Sequence, residues 1–134
     1  MLFRSRFGYR CHVVVRDTED EATAAANHLI AAVNDEEGAR IRARSLDSAS
    51  AGVRRQAELR ESSAGDGFVE PHLWTGIGRA RSGCGAAIVG TPRQVADKIN
   101  RYREMGIENF ILSGYPHLSE CTRFADTVFP LLSA

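Results

Sequence analysis

Several residue types that mark particular classes of protein are scarce in this chain. Its 134 residues include three cysteines at wide spacings, Cys11, Cys84 and Cys121, and contain neither a Cys-x-x-Cys pair nor a His-Glu-x-x-His motif. An odd, dispersed set of cysteines argues against a disulfide framework, and the missing motifs argue against a metal site built on zinc. Lysine occurs once, as Lys98, beside sixteen arginines. This bias fits either a coding preference for arginine or a demand for bidentate contacts to anions.

Charge of one sign and long apolar runs are also absent. Basic and acidic residues number 17 each, so the formal net charge is zero. A neutral chain offers no basic field to attract nucleic acid or an anionic membrane. No apolar run approaches the roughly 20 residues that span a bilayer, and the first residues lack the apolar core of a signal peptide. We therefore expect a cytoplasmic protein without a nucleic-acid or membrane partner.

What the chain does contain is a repeated alternation of strand-like and helix-like segments. Apolar periodicity and capping signals mark each segment, including the capping box Thr18-x-x-Glu21 and the Thr91-Pro92 helix start. They predict three strand and helix pairs: a strand at 9–16 with a helix at 19–33, a strand at 86–89 with a helix between Thr91 and Gly106, and a strand at 109–113 with a helix from Leu118. Residues 34–71 lack such a pattern and are predicted to form an insertion or mobile region with one or two short solvent-facing helices.

The alternation of strands and helices restricts the possible folds. Strands that are separated by covering helices pair in parallel, and a parallel sheet has to be covered on both faces or closed into a barrel. Because a (β/α)8 barrel typically takes about 250 residues, 134 residues cannot form a whole one. We predict an α/β fold that is the C-terminal part of a (β/α)8 barrel, a single domain over residues 1–134 with about three parallel βα units.

Polar residues occur where such a fold places its active site, at the carboxyl ends of the strands and in the loops after them. Arg10 and His12 lie two residues apart on the first strand and therefore share one face. A glycine-rich loop runs over residues 76–85, and Ser-Gly-Tyr-Pro-His follows the third strand at 113–117. We expect these features to converge on one anion-binding cavity.

Four blocks of the sequence point to a known family. They are Phe-Gly-Tyr-Arg-Cys-His-Val-Val-Val-Arg at 7–16, Leu-Trp-Thr-Gly-Ile-Gly at 73–78, the glycine-rich loop through Ile-Val-Gly at 88–90, and Phe-Ile-Leu-Ser-Gly-Tyr-Pro-His-Leu at 110–118. Together they resemble the C-terminal region of the FMNH2-dependent alkanesulfonate monooxygenases, which are bacterial luciferase-like barrels. The resemblance covers nearly the whole chain but only part of the family's usual length.

The resemblance implies an oxidoreductase that uses reduced FMN, supplied by a separate NAD(P)H-dependent flavin reductase, and O2. A flavin peroxide would oxygenate an alkanesulfonate and release sulfite and an aldehyde. By the same resemblance, the catalytic pocket residues are Arg10, His12 and Tyr115, and the residues of a mobile loop that closes over the reactants are Arg81, Gly83 and Gly85. A sulfonate is a permanent anion, so the Arg10 guanidinium is a chemically suitable partner for it.

Alternatives to these assignments stay open. Arg10 and His12 could serve only as partners in a polar interior, the glycine-rich loop could be a plain connection, and Tyr115 could pack on the last helix. The N-terminal strands that carry most flavin contacts in the family have no counterpart here, so we predict little or no activity for the isolated chain. A homo-oligomer, a partner chain or a missing N-terminal half would complete it. The rival functions are a non-catalytic remnant and another luciferase-like monooxygenase, specific for dimethyl sulfone or dependent on coenzyme F420.

Overall fold

The computed structural model describes residues 5–46, 51–80 and 85–132, which form one five-stranded sheet with helices on both faces. The strands are β1 (Phe7–Val15), β2 (Phe68–Glu70), β3 (Leu73–Trp74), β4 (Ala87–Gly90) and β5 (Ile107–Ser113). The helices are α1 (Glu19–Ile30), α2 (Asp35–Leu46), α3 (Ala51–Glu61), α4 (Pro92–Glu104) and α5 (His117–Thr127), with short 3-10 helices at Gly76–Arg79 and Phe129–Leu131.

The strands follow the spatial order β2-β3-β4-β1-β5. β1 lies at the centre and pairs in parallel with β4 on one side and with β5 on the other. His12 is level with Ala87 of β4 and with Ser113 of β5. The predicted α/β class and its three parallel βα units are therefore confirmed.

Helices α1 and α4 begin where the sequence predicts. The Thr18 hydroxyl accepts a hydrogen bond from the Glu21 amide at 3.2 Å, and the Glu21 carboxylate accepts one from the Thr18 amide at 3.3 Å. Thr91 and Gln94 form the same reciprocal pair, with Pro92 in the first turn. Such caps typically stabilise a protein by about 1 kcal/mol each. The first helix ends at Ile30, three residues before the predicted end at residue 33.

The second half of the central strand, from Cys11 to Val15, is buried on both faces because each face packs against a different helix. Cys11, Val13 and Val15 point to one side, where they pack with β4 and with the apolar face of α4. Val14 points to the other side, where Ala22 and Ala26 of α1 cover the sheet together with Trp74 and Ile77. The two-residue alternation of a strand thus supplies both cores from one segment.

The predicted insertion contains the two short helices, and it also contributes to the sheet. α3 ends at Glu61, directly before a Ser-Ser-Ala-Gly-Asp-Gly segment, and it has no fully buried residue. β2 and β3 form an antiparallel hairpin that adds two strands beside β4, and the sequence pattern missed this hairpin. The mobility of residues 34–71 stays a prediction. In the described ranges, no helix has both the length and the apolar character needed to cross a membrane.

Candidate functional site

Two of the three predicted catalytic residues lie in direct contact. His12 sits within β1 and is only 3% exposed, and Tyr115 follows the end of β5. Their rings stack with centroids 5.2 Å apart and planes inclined by 24°. The ring of His117, at the start of α5, lies 4.8 Å from that of Tyr115. An imidazole and a phenol are therefore held together where β1 and β5 run side by side.

The register of the sheet explains this proximity. His12 and Ser113 are level across β1 and β5, so a residue two positions after Ser113 lies just beyond His12 along the strand direction. β5 ends at Ser113, and Gly114 and Tyr115 form the short connection to Pro116, which caps α5. The peptide bond between Tyr115 and Pro116 is cis. The stacking of the Tyr115 ring on His12 shows that the connection directs the phenol toward β1.

The third predicted residue, Arg10, lies farther along the same face. It precedes His12 by two positions on β1, so both side chains project from the same side of the sheet. Arg10 is exposed, as is Ile111, its partner on β5, which is 64% exposed. Along this face, the buried His12 ring and the half-buried Tyr115 ring are therefore followed by an open strip that contains the Arg10 guanidinium and Ile111.

The loop that the sequence assigned to closure over the reactants is only partly described. Arg81 and Gly83 lie outside the described residues. Gly85 is half-buried, and a Cβ at that position would lie 3.2 Å from the Gln56 side chain of α3. The preceding 3-10 helix, Gly76–Arg79, packs against the sheet through Ile77, which is buried. The segment that leads into the loop is thus anchored in the core.

Two cavities lie on the α1 side of the sheet. The larger, of about 560 Å³, lies between α1, α3 and the β2–β3 hairpin, and its polar lining includes Thr23, Asn27 and Arg60. The smaller, of about 400 Å³, lies beside the hairpin and is lined in part by His72. Arg10, His12 and Tyr115 are not among the described residues that line either cavity. The predicted site is therefore an open surface strip with one buried end.

This surface does not by itself form a flavin site. The tricyclic flavin ring needs a flat slot between two walls, but the His12 and Tyr115 rings pack on each other and leave no slot between them. Beyond them the described residues supply one wall, the open strip at Arg10. The described part of the chain thus presents an open face without a slot for the flavin ring, and no reaction step through flavin follows from it.

A second polar cluster lies on the α4 side, where the sequence gave no signal for it. Lys98 donates hydrogen bonds to the Glu70 carboxylate at 2.7 Å and to the Pro71 carbonyl at 3.0 Å, and the Tyr102 hydroxyl donates to Glu70 at 3.2 Å. The hydrogen bond from Lys98 holds the pKa of Glu70 below its usual value, and burial raises the pKa of Tyr102. This cluster ties the β2–β3 hairpin to α4.

Comparison with known proteins assigns the chain to a family. Residues 4–109 match the family described as luciferase-like monooxygenase. The chain belongs to the luciferase-like monooxygenase family. This confirms the broader luciferase-like family of the sequence prediction but not the alkanesulfonate monooxygenases within it. The three parallel βα units are consistent with a fragment of a luciferase-like barrel.

The relatives add a named substrate. A sulfoquinovose monooxygenase of Novosphingobium aromaticivorans is 63% identical over 125 residues, which are 93% of this chain and 34% of the relative. A sulfoquinovose monooxygenase of Agrobacterium fabrum is 56% identical over 124 residues, which are 92% of this chain and 32% of the relative. The chain therefore spans about a third of the length of the curated relatives it matches. Both names specify sulfoquinovose, whereas the sequence blocks suggested an alkanesulfonate.

Proposed function

We propose that this chain is part of a flavin-dependent sulfonate monooxygenase whose substrate is sulfoquinovose. The observation that carries the proposal is the 63% identity, over nearly the whole chain, to a sulfoquinovose monooxygenase. Sulfoquinovose is a hexose that bears a sulfonate, so it shares the anionic head group of an alkanesulfonate and differs in its polyol tail. The reaction class is oxygenation at the carbon–sulfur unit with release of sulfite.

In this proposal the exposed Arg10 binds the sulfonate. Guanidinium stays charged at all physiological pH values and presents a planar fork of donors to trigonal oxyanions. Each charge-assisted hydrogen bond contributes about 1.5–3 kcal/mol once the ligand covers it. The exposure of Arg10 in the described chain leaves its guanidinium accessible to a ligand that docks on the strip.

His12 and Tyr115 form the buried end of the same site. Their stacked rings form a firm wall, and both side chains carry polar atoms that can hydrogen-bond an oxyanion or a sugar hydroxyl. The resemblance of the sequence supports a role for Arg81, Gly83 and Gly85 in closing over the reactants. Reduced flavin, with FMN as the preferred form and a NAD(P)H-dependent reductase as its source, binds mainly to parts of the longer relatives that this chain does not span.

A chimera tests the proposal without requiring the isolated chain to be active. The chain replaces the corresponding third of the Novosphingobium relative, and sulfite release is assayed with a flavin reductase, NADPH and FMN. Sulfoquinovose, octanesulfonate and glucose form the substrate panel, and the unmodified relative is the positive control. We expect sulfite from sulfoquinovose and none from glucose.

The other possible outcomes of this assay would favour one of the rival functions. Faster sulfite release from octanesulfonate than from sulfoquinovose would return the substrate to the alkanesulfonate class. A chimera that is folded by circular dichroism and binds flavin as the relative does, yet releases no sulfite, would favour the non-catalytic remnant and overturn the proposal.

A further inference from the structure

A buried ion pair joins the two chain segments that carry His12 and Tyr115. Arg16 follows β1 directly, and Glu120 lies near the start of α5. Arg16 Nη1 donates to Glu120 Oε1 at 2.8 Å, with side chains 24% and 5% exposed, respectively. The same nitrogen donates to the Val15 carbonyl at 2.6 Å. The cation is therefore fixed to the end of β1 while it holds the carboxylate of α5.

Glu120 also contacts both residues that flank Tyr115. Its backbone amide donates to the Pro116 carbonyl at 3.1 Å, which is the first intrahelical hydrogen bond of α5. On the other flank, its Cβ and Cγ occupy the space above Gly114, where an added Cβ would overlap Glu120 Cβ and lie 2.9 Å from Glu120 Cγ. Tyr115 thus sits in a connection whose Gly114 end packs against the Glu120 side chain and whose Pro116 end joins the helix that carries Glu120.

Stability alone does not explain the Arg16–Glu120 ion pair. Burying a carboxylate removes its hydration, and replacing a buried ion pair with apolar residues of similar volume is often neutral or stabilising. Glu120 Oε2 is buried with no hydrogen-bond partner among the described residues, so even the paired carboxylate is incompletely compensated. A geometric role explains why charge is retained here.

We propose that the Arg16–Glu120 pair positions Tyr115 against His12. Arg16 fixes Glu120 relative to β1, which carries His12, and Glu120 fixes the Gly114–Pro116 connection, which carries Tyr115. Both are positioning residues that act through the ring pair. The importance of that ring pair for catalysis rests on the proposed function, but the contact itself is measurable without any substrate.

Nuclear magnetic resonance of the whole chain tests the proposal. The readout is the set of nuclear Overhauser cross-peaks between the ring protons of His12 and Tyr115, recorded in protein that retains dispersed core methyl signals from Val14 and Val89. We expect Glu120→Gln to lose these cross-peaks while the core signals persist. The matched control Asp126→Asn, which neutralises an exposed carboxylate on the same helix, should keep them.

A second variant tests the same contact without changing either charged residue. Gly114→Ala forces Glu120 away from the connection and should also lose the ring cross-peaks. Its control is Gly8→Ala, because a Cβ at that position of β1 would meet only Asn109, at distances of 3.7 Å or more. If Glu120→Gln does not fold, Gly114→Ala and Arg16→Lys carry the test, since lysine keeps the charge but loses the planar fork.

The outcomes separate positioning from plain stabilisation. Ring cross-peaks that persist at full intensity in folded Glu120→Gln or Gly114→Ala would overturn the proposal, even if the variant unfolds more easily. In the chimera, Glu120→Gln should lower kcat by about 10- to 100-fold, the range expected for a small misplacement of a site residue. Lost cross-peaks with unchanged kcat would leave the positioning intact and instead count against the proposed role of the ring pair.

Discussion

Gly76 offers a sharp test of how the glycine-rich loop is anchored. It is buried in the 3-10 helix that leads into the loop, and an added Cβ would overlap the indole ring of Trp74 and lie 2.8 Å from its Nε1. Trp74 is 1% exposed, and its Nε1 donates to the Asp66 carbonyl at 3.1 Å. Gly76→Ala therefore has to displace a large buried ring from a hydrogen-bonded position.

The expected cost follows from these contacts. Overpacking a well-filled core costs about 1–3 kcal/mol, and loss of the indole hydrogen bond adds about 0.5–1.5 kcal/mol. We therefore expect Gly76→Ala to lower the free energy of unfolding by about 2–4 kcal/mol and Tm by roughly 5–15 °C for a domain of this size. A glycine that served only as a flexible hinge would not show this loss, because alanine in a helical conformation carries no backbone strain.

Trp74 is the single tryptophan, so its fluorescence reports the displaced ring directly. We expect a red-shifted emission maximum in folded Gly76→Ala and an earlier urea midpoint. The control is Gly65→Ala, where an added Cβ would have no neighbour within 4 Å and stability should change by less than about 0.5 kcal/mol. Equal stability and unchanged emission in Gly76→Ala would show that the packing argument is wrong and would favour the hinge.

Two further predictions concern charge. In the chimera, Arg10→Gln should raise KM for sulfoquinovose by about 10- to 100-fold, since it removes charge-assisted hydrogen bonds of about 1.5–3 kcal/mol. The control Arg93→Gln, which alters an exposed arginine of α4, should leave KM unchanged. An unchanged KM in Arg10→Gln would show that Arg10 does not bind the substrate. Glu70, whose pKa is lowered by Lys98, contributes stability that is present above its unfolded pKa and is lost as pH falls through the folded pKa. Urea unfolding of Glu70→Gln should therefore show a loss of under about 1 kcal/mol at pH 7, because the group is half-exposed. The loss should disappear as the pH falls through the folded-state pKa of Glu70, and a loss that is independent of pH would contradict this.

The parts of the fold that the sequence predicts are those with local causes. Helices α1 and α4 follow from capping boxes and apolar spacing, and β1 follows from a run of β-branched residues, because each signal lies within a few residues of its effect. The β2–β3 hairpin cannot be predicted in this way, because strands of three and two residues are too short to show an alternation of apolar and polar residues. The central place of β1 depends on non-local pairing, which no local pattern encodes.

The candidate site also combines features that the sequence predicts with features that only the folded chain shows. The contact of His12 with Tyr115 follows from parallel pairing, which brings one strand beside the end of another. The exposure of Arg10 depends on how much of the sheet α1 covers, and this is a tertiary property. The Arg16–Glu120 pair joins residues far apart in the sequence, so only the folded chain reveals it.

Sulfite release by the chimera tests whether this chain supplies the sulfonate side of a monooxygenase pocket. We expect sulfite from sulfoquinovose when the chain replaces the corresponding third of the Novosphingobium relative. A folded, flavin-binding chimera that releases no sulfite would contradict it.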